Sequence, residues 1–142
     1  MADEASDFAR SMSIATSGLR AQAGRMRVIS ENIANADSTA PTAGGNPYRR
    51  KVPTFSSALD RTLDAKVVTL GKVRTDQSAF RIKHEPSNPA ADASGNVKYP
   101  NVNPLVEMTD MREAQRSYEA NLNIISATRR MIQRTLDMGK GR

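Results

Sequence analysis

The sequence predicts a mainly α protein: long N- and C-terminal helices paired as an antiparallel coiled coil, with a small irregular β-hairpin-containing middle segment. Three observations predict it. Apolar residues recur at helical spacing from about Ser6 to Ala36, and again from Asn103 to Met138. All the prolines except Pro104 fall between those two stretches. The chain divides accordingly into an N-terminal core helix over 1–36, a loop and hairpin segment over 37–102, a C-terminal core helix over 103–138 and a tail over 139–142.

In the first stretch Phe8, Met12, Ala15, Leu19, Gln22, Met26, Ile29, Ile33 and Ala36 alternate by four and three. That is an a/d seam held for about four heptads and interrupted only by polar Gln22. Gly18 and Gly24 lie inside it, each costing about 1 kcal/mol relative to Ala in a helix interior. In a helix meant to pack closely, a glycine marks a place where another group comes near. Asp37 to Pro41 then stops the helix.

The middle segment opens on Ala43-Gly44-Gly45-Asn46-Pro47, which cannot continue a helix. Strand character follows at Lys66–Leu70, at Ala79–Lys83 with its alternation of apolar and charged residues, and at Val97–Tyr99 after the Ser94-Gly95-Asn96 turn. This amounts to one or two small hairpins, not a sheet that could hold a core. Phe55–Ala65 is expected to add a short helix.

The last stretch begins with Asn103 as a helix cap and Pro104 at the first helical position, where a missing N–H costs nothing. Met108, Met111, Tyr118, Leu122, Ile125, Ile132 and Leu136 then mark one side of a helix about 50 Å long. Two seams of similar length can close on each other or stay open for neighbouring copies. Gln22, Gln115 and Arg129 interrupt them, so an isolated pair would be marginal and packing among many pairs would shelter it.

Composition narrows the function. There is no Trp, and only six aromatic residues, three Phe and three Tyr, serve 142 positions, a thin supply for a self-sufficient core. With no Cys, disulfides, thiolate nucleophiles and Cys-based metal sites are excluded. His84 stands alone between Lys83 and Glu85, and Gly44-Gly45 lacks the Lys-Ser/Thr of a phosphate loop, so neither a zinc site nor nucleotide chemistry is expected. No enzyme, cofactor or metal is expected. The N-terminus lacks the apolar core of a cleavable signal, and no apolar run is long enough to cross a bilayer. The net charge of +6 leaves one alternative, a basic helical nucleic-acid-binding protein. Its cations, however, are interleaved with acids except at Arg49-Arg50-Lys51 and from Arg129 to Arg142, the latter where a helix dipole favours them.

Two motifs carry a family resemblance. Ser17-Gly18-Leu19-Arg20-Ala21-Gln22 and Arg25 to Ala36, centred on Asn32-Ile33-Ala34-Asn35, resemble the N-terminal signature of bacterial flagellar rod and hook proteins. Glu107-Met108, Ala114 and Arg116-Ser117-Tyr118-Glu119-Ala120-Asn121 resemble the matching C-terminal signature. Asn46 to Lys51, Pro89 to Val97 and Tyr99 to Met108 bring the resemblance to the proximal-rod subfamily, the FlgC type, over about Ser11 to Leu136.

The resemblance implies a structural subunit stacked helically in the proximal rod, the drive shaft from motor to hook, with paired terminal helices lining the export channel. Implied partners are other copies of itself, rod proteins of the FlgB, FlgF and FlgG types, the MS-ring adaptor FliE and the P ring, with no nucleic acid and no membrane insertion. Implied location is the basal body in the periplasmic space, reached through the flagellar type III system without a cleaved signal. The candidate helix–helix and assembly residues are Leu19, Met26, Ile29, Asn32, Ile33, Asn35, Met111, Tyr118, Leu122, Ile125, Ile132 and Leu136. Tyr48, Arg49, Arg50 and Lys51 are candidate loop contacts, with Arg49-Arg50-Lys51 suited to an acidic neighbour.

Overall fold

The computed structural model describes residues 2–141. Two long helices bracket the chain, α1 at Ala2–Ala34 and α2 at Pro104–Lys140. Between them lie six short strands: β1 (Lys51–Val52), β2 (Phe55–Asp60), β3 (Ala65–Leu70), β4 (Arg74–Thr75), β5 (Arg81–His84) and β6 (Asn96–Tyr99). They form three separate two-stranded antiparallel ladders, β1 with β4, β2 with β3, and β5 with β6. Two helices around a small β-containing middle is therefore the observed architecture.

The start of α2 follows its sequence signals. Asn103 Oδ1 accepts from the Leu105 N–H and its carbonyl from the Glu107 N–H, while Pro104 supplies the first turn without a wasted donor. The helix expected over Phe55–Ala65 is not formed. Its first six residues are strand β2, paired in register with β3 from Phe55↔Leu70 to Asp60↔Ala65. A lone turn or two of helix there would gain little, because nucleation is costly and Ser56 and Ser57 are indifferent helix formers. The cross-strand Ser56–Thr69 hydroxyl bond and the Val67–Val68 pairings favour the ladder.

The chain forms two compact units. One comprises the stretch up to Arg25, Phe55–Gly71 and the stretch from Glu113 onward. Its buried side chains are mostly small, Ala15, Ala21, Ala65, Ala114 and Thr128, with Ile125 the large one. Gly18 and Gly24 do mark close approaches there. A Cβ on Gly18 would lie 2.8 Å from the Asn121 amide nitrogen, and one on Gly24 would lie 2.6 Å from a Leu70 methyl. Strand β3 lies edge-on to α1, with the Val68 N–H donating to Ser17 Oγ and Arg10 Nε to the Leu63 carbonyl.

The other unit comprises Met26–Thr54 and Lys72–Arg112. Its small apolar core is Ala90, Val97 and Tyr99, beside the β5–β6 hairpin. Gly95 sits at φ +80°, a conformation side chains resist, and Asp92 Oδ1 collects the Ser94 and Asn96 N–H groups around it. A lattice of polar contacts supplements this core.

Candidate functional site

That lattice centres on Asn32, near the end of α1, and Glu107, in the first turns of α2, each only 1% exposed. The Asn32 amide treats Lys51 as a strand neighbour: Nδ2 donates to its carbonyl at 2.8 Å and Oδ1 accepts its N–H at 2.9 Å. The same Oδ1 accepts the Tyr48 hydroxyl at 2.7 Å, and Nδ2 also reaches Glu107 Oε2 at 3.4 Å. Glu107 Oε1 in turn accepts from Arg50 Nε. Arg50 further pairs with Asp76 and Asp110, while its backbone N–H donates to Asn101 Oδ1. Asn101 Nδ2 holds the Asp76 and Ser78 carbonyls.

The electrostatics match this wiring. Burial pushes the Tyr48 hydroxyl up to about 12, with Glu31 and Glu107 adding to the effect. Burial opposes the Arg50 charge, yet the Glu107 hydrogen bond and charge, helped by Asp76, raise its pKa overall. Asp76 is held below the usual carboxylate range by hydrogen bonds from Ser78 and then from Arg50. Among the described residues no buried side-chain N or O lacks a partner. A buried charge costs heavily unless it is paired and hydrogen-bonded, and here both conditions hold. The hub fixes geometry; it offers no reactive group. Among the described residues no three His, Cys, Asp or Glu side chains converge as metal ligands.

The candidate loop residues all meet partners inside the chain. Tyr48 and Arg50 belong to the hub. Arg49 donates to the Asp76 and Ser78 carbonyls and stacks 4.2 Å over the Phe80 ring. Lys51 Nζ pairs with Glu31 at 2.6 Å. Asn35 is held locally, its Nδ2 donating to the Glu31 carbonyl one turn back.

The candidate seam residues are unequally covered. Ile29 and Ile125 are buried; Leu19, Met26, Ile33, Met111, Tyr118 and Ile132 are half-buried. Leu122 and Leu136 remain 45% and 54% exposed, with Met108 also open. Beside them a further row, Ile124, Met131 and Met138, repeats every seven residues and is exposed as well. On α1 the covered face includes Ala21, Gly24, Val28 and Asn32, none of them on the predicted seam. Ala21, Gly24 and Asn32 carry no weight in a hydrophobic pattern, so that part of the face was invisible to periodicity, while Ala15 and Ile29 of the predicted seam are buried as well. Glu107 was equally hidden, because an acid in a first helical turn ordinarily serves the dipole in solvent.

Comparison with known proteins places the chain. Residues 12–40 match the family model for the flagella basal body rod protein, and residues 93–138 match that for the flagellar basal body rod FlgEFG protein C-terminal region. The flagellar basal-body rod protein FlgC of Agrobacterium fabrum is 52% identical over 89% of this chain and 91% of its own length. Those of Bacillus subtilis and Salmonella typhimurium are each 39% identical, covering 92% and 89% of this chain and 97% and 94% of their own. Both signature motifs fall inside the matched regions, and Asn32 and Glu107 fall inside them too. The chain belongs to the FlgC family of flagellar basal-body rod proteins and is a structural rod subunit, not an enzyme.

Proposed function

We propose that this subunit stacks helically in the proximal rod, where it transmits torque toward the hook and its terminal helices line the export channel. The observation that carries the proposal is the open apolar surface of α2: Leu122, Leu136, Ile124, Met131 and Met138 stay exposed on a chain poor in core residues. Monomers rarely leave so many large apolar side chains on one element without a partner for them. A filament requires complementary patches on different faces of each subunit, and a long helix open on more than one side provides them.

In this reading α1 and α2 pair as an antiparallel coiled coil, and the remainder of each seam packs on neighbouring copies. Contacts within one unit support the pairing. Phe8 and Met12 share an apolar recess with Ile132, Gly18 meets Asn121, and Arg25 pairs with Glu113, so positions fall along α2 as they rise along α1. The four-part division into core helices, hairpin segment and tail belongs to the same proposal. So do the assembly roles of Leu19, Met26, Ile29, Ile33, Met111, Tyr118, Ile125 and Ile132.

The partners proposed are further copies and the FlgB, FlgF and FlgG types, with FliE below and the P ring around the rod. The chain would reach the periplasmic basal body by type III export without cleavage. Immunoblotting of hook–basal bodies washed with detergent and alkali tests the placement, using strains blocked before and after proximal-rod assembly. The chain is expected in rods halted just beyond the proximal stage. Its appearance only in rods that have reached the hook would overturn the proximal assignment.

A further inference from the structure

Where α1 begins and α2 ends, the free sides of the two helices carry opposite charge. Phe8 and Met12 of α1 share an apolar recess with Ile132, and Ile125 and Thr128 are buried on that same side of α2. A helix turns about 100° per residue, which places Asp3 and Asp7 about 100° to 180° round α1 from Phe8 and Met12. Both acids are exposed, and Ile14 continues their line two turns on, also exposed. Asp7 has a surface pair with Arg10 at 3.2 Å, a kind of contact that contributes little. On α2 the same rotation places Arg130 and Arg134 about 120° to 180° from Ile125, Thr128 and Ile132. Both arginines are exposed, and among the described residues neither is ion-paired. Exposed Met131 and Ile124 border them on one side; Glu119 and Asp137 lie on the other, Asp137 already accepting from Gln133 Nε2.

We propose that the acidic start of α1 in one copy docks on the arginine side of α2 in a second copy. The inference rests on the rod reading and names one of its interfaces. The spacings agree. Asp3 and Asp7 are one turn apart, as are Arg134 and Arg130. Ile14 then follows Asp7 after about 10 Å, and Ile124 follows Arg130 after about 9 Å, at 1.5 Å per residue. The levels agree too. Phe8 lies beside Ile132 and Gly18 beside Asn121, so within one chain the two acids stand level with the stretch around Arg134, on opposite sides of the pair. One chain therefore cannot join its own two patches, whereas a copy set beside it can. Asp3 then meets Arg134, Asp7 meets Arg130, and Ile14 meets Ile124, with the helices running in opposite senses as they do within one chain. Charge decides the occupant. Arginine side on arginine side, or acid on acid, would set like charges together, so unlike patches must join. Such a heterologous contact propagates from copy to copy instead of closing into a dimer.

Charge reversal in trans tests this. In cells lacking the unaltered chain, one tagged variant carries Asp3→Lys with Asp7→Lys, and another, differently tagged, carries Arg130→Glu with Arg134→Glu. The variants are produced singly and together, and tagged chain in washed hook–basal bodies is measured at equal levels of exported protein. Each variant alone is expected at less than about a tenth of the wild-type amount, because like charges then face each other. Produced together they are expected at about half or more, because each supplies the opposite charge to the other. Full incorporation of either variant alone, or no recovery on mixing, would overturn the proposal; a contact within the chain or with another rod protein gives no such recovery. The natural absence of cysteine allows a second measurement that leaves the charges in place. Tagged Ile14→Cys and Ile124→Cys chains, each with one thiol, are incorporated together and treated with a short bismaleimide. A mixed dimer at least tenfold more abundant than either self-dimer is expected, and both chains in the rod with no mixed dimer would overturn the contact. Tagged wild-type chain missing from the washed particles would overturn the rod reading itself, a result separate from both readouts.

Discussion

The Asn32–Glu107 hub and the outer half of α2 use opposite chemistry for opposite ends. The hub buries a carboxylate and an amide, gives each polar atom a partner, and draws Tyr48, Arg50, Lys51, Asp76 and Asn101 into one arrangement. The C-terminal half of α2 leaves Leu122, Ile124, Met131, Leu136 and Met138 between 45% and 76% exposed. Polar bonds have direction, so the hub specifies one geometry for the subunit. Apolar contact is undirected and additive, which suits repeated packing on neighbours. A change in the hub should therefore alter the subunit itself, and a change on the helix face should alter only its assembly.

The comparison breaks most sharply at Glu107. Glu107→Ala removes the buried carboxylate that accepts from Arg50 and Asn32 and is expected to destabilise the folded subunit by about 3 kcal/mol. The urea midpoint followed by circular dichroism reads this, and an unchanged midpoint would remove the hub from the account. Asn32→Ala deletes the amide that serves Lys51, Tyr48 and Glu107, with an expected cost of about 2 kcal/mol in the same assay.

Alkaline pH tests the hub without substituting Glu107 or Asn32. The Tyr48 hydroxyl ordinarily ionises near 10.0 and is pushed up to about 12 in the folded chain. Between those values the unfolded chain gives up this proton and the folded chain keeps it. The contribution of neutral Tyr48 is thus complete below pH 10 and is lost as pH rises toward 12. Tyr48→Phe should flatten that part of the stability profile; an unchanged slope would place the alkaline sensitivity elsewhere.

Gly24→Ala should move global stability by less than about 1 kcal/mol. The gain in helix propensity offsets the displacement of the Leu70 methyl, which is the end of a side chain that can rotate. Hydrogen exchange in β2 and β3 should nevertheless quicken, because Leu70 helps hold the hairpin to α1. Exchange unchanged in those strands would show that the glycine does not matter for hairpin docking.

The sequence made the two helices and the cap at Asn103–Pro104 readable, because periodicity and capping are local signals. The strands at Lys66–Leu70 and around Val97 were readable for the same reason. The β2 strand was not, since Phe55-Ser56-Ser57-Ala58-Leu59 has neither a clear period nor a strong propensity and becomes a strand through pairing with β3. Most of the hub was also out of reach. Asn32 stood inside a recognisable motif, but its partners lie at Tyr48, Lys51 and Glu107, and only folding brings them together. The glycines were legible as close approaches, though not which side chain approached. Part of the covered face of α1 had no hydrophobic signature, because Ala21, Gly24 and Asn32 form it beside Val28 and Ile29.

Leu122→Asp tests the division of labour most directly. Leu122 is exposed on α2, so the substitution should shift the subunit's own stability by no more than about 0.5 kcal/mol. In a rod it would place an unpaired charge in a packed layer. The measurement is the amount of the Leu122→Asp chain in washed hook–basal bodies relative to wild type, at equal levels of exported protein. The account predicts loss of at least nine-tenths of the incorporated chain and non-motile cells. Wild-type incorporation with normal swimming would contradict it and return the assembly interface to another face of the molecule.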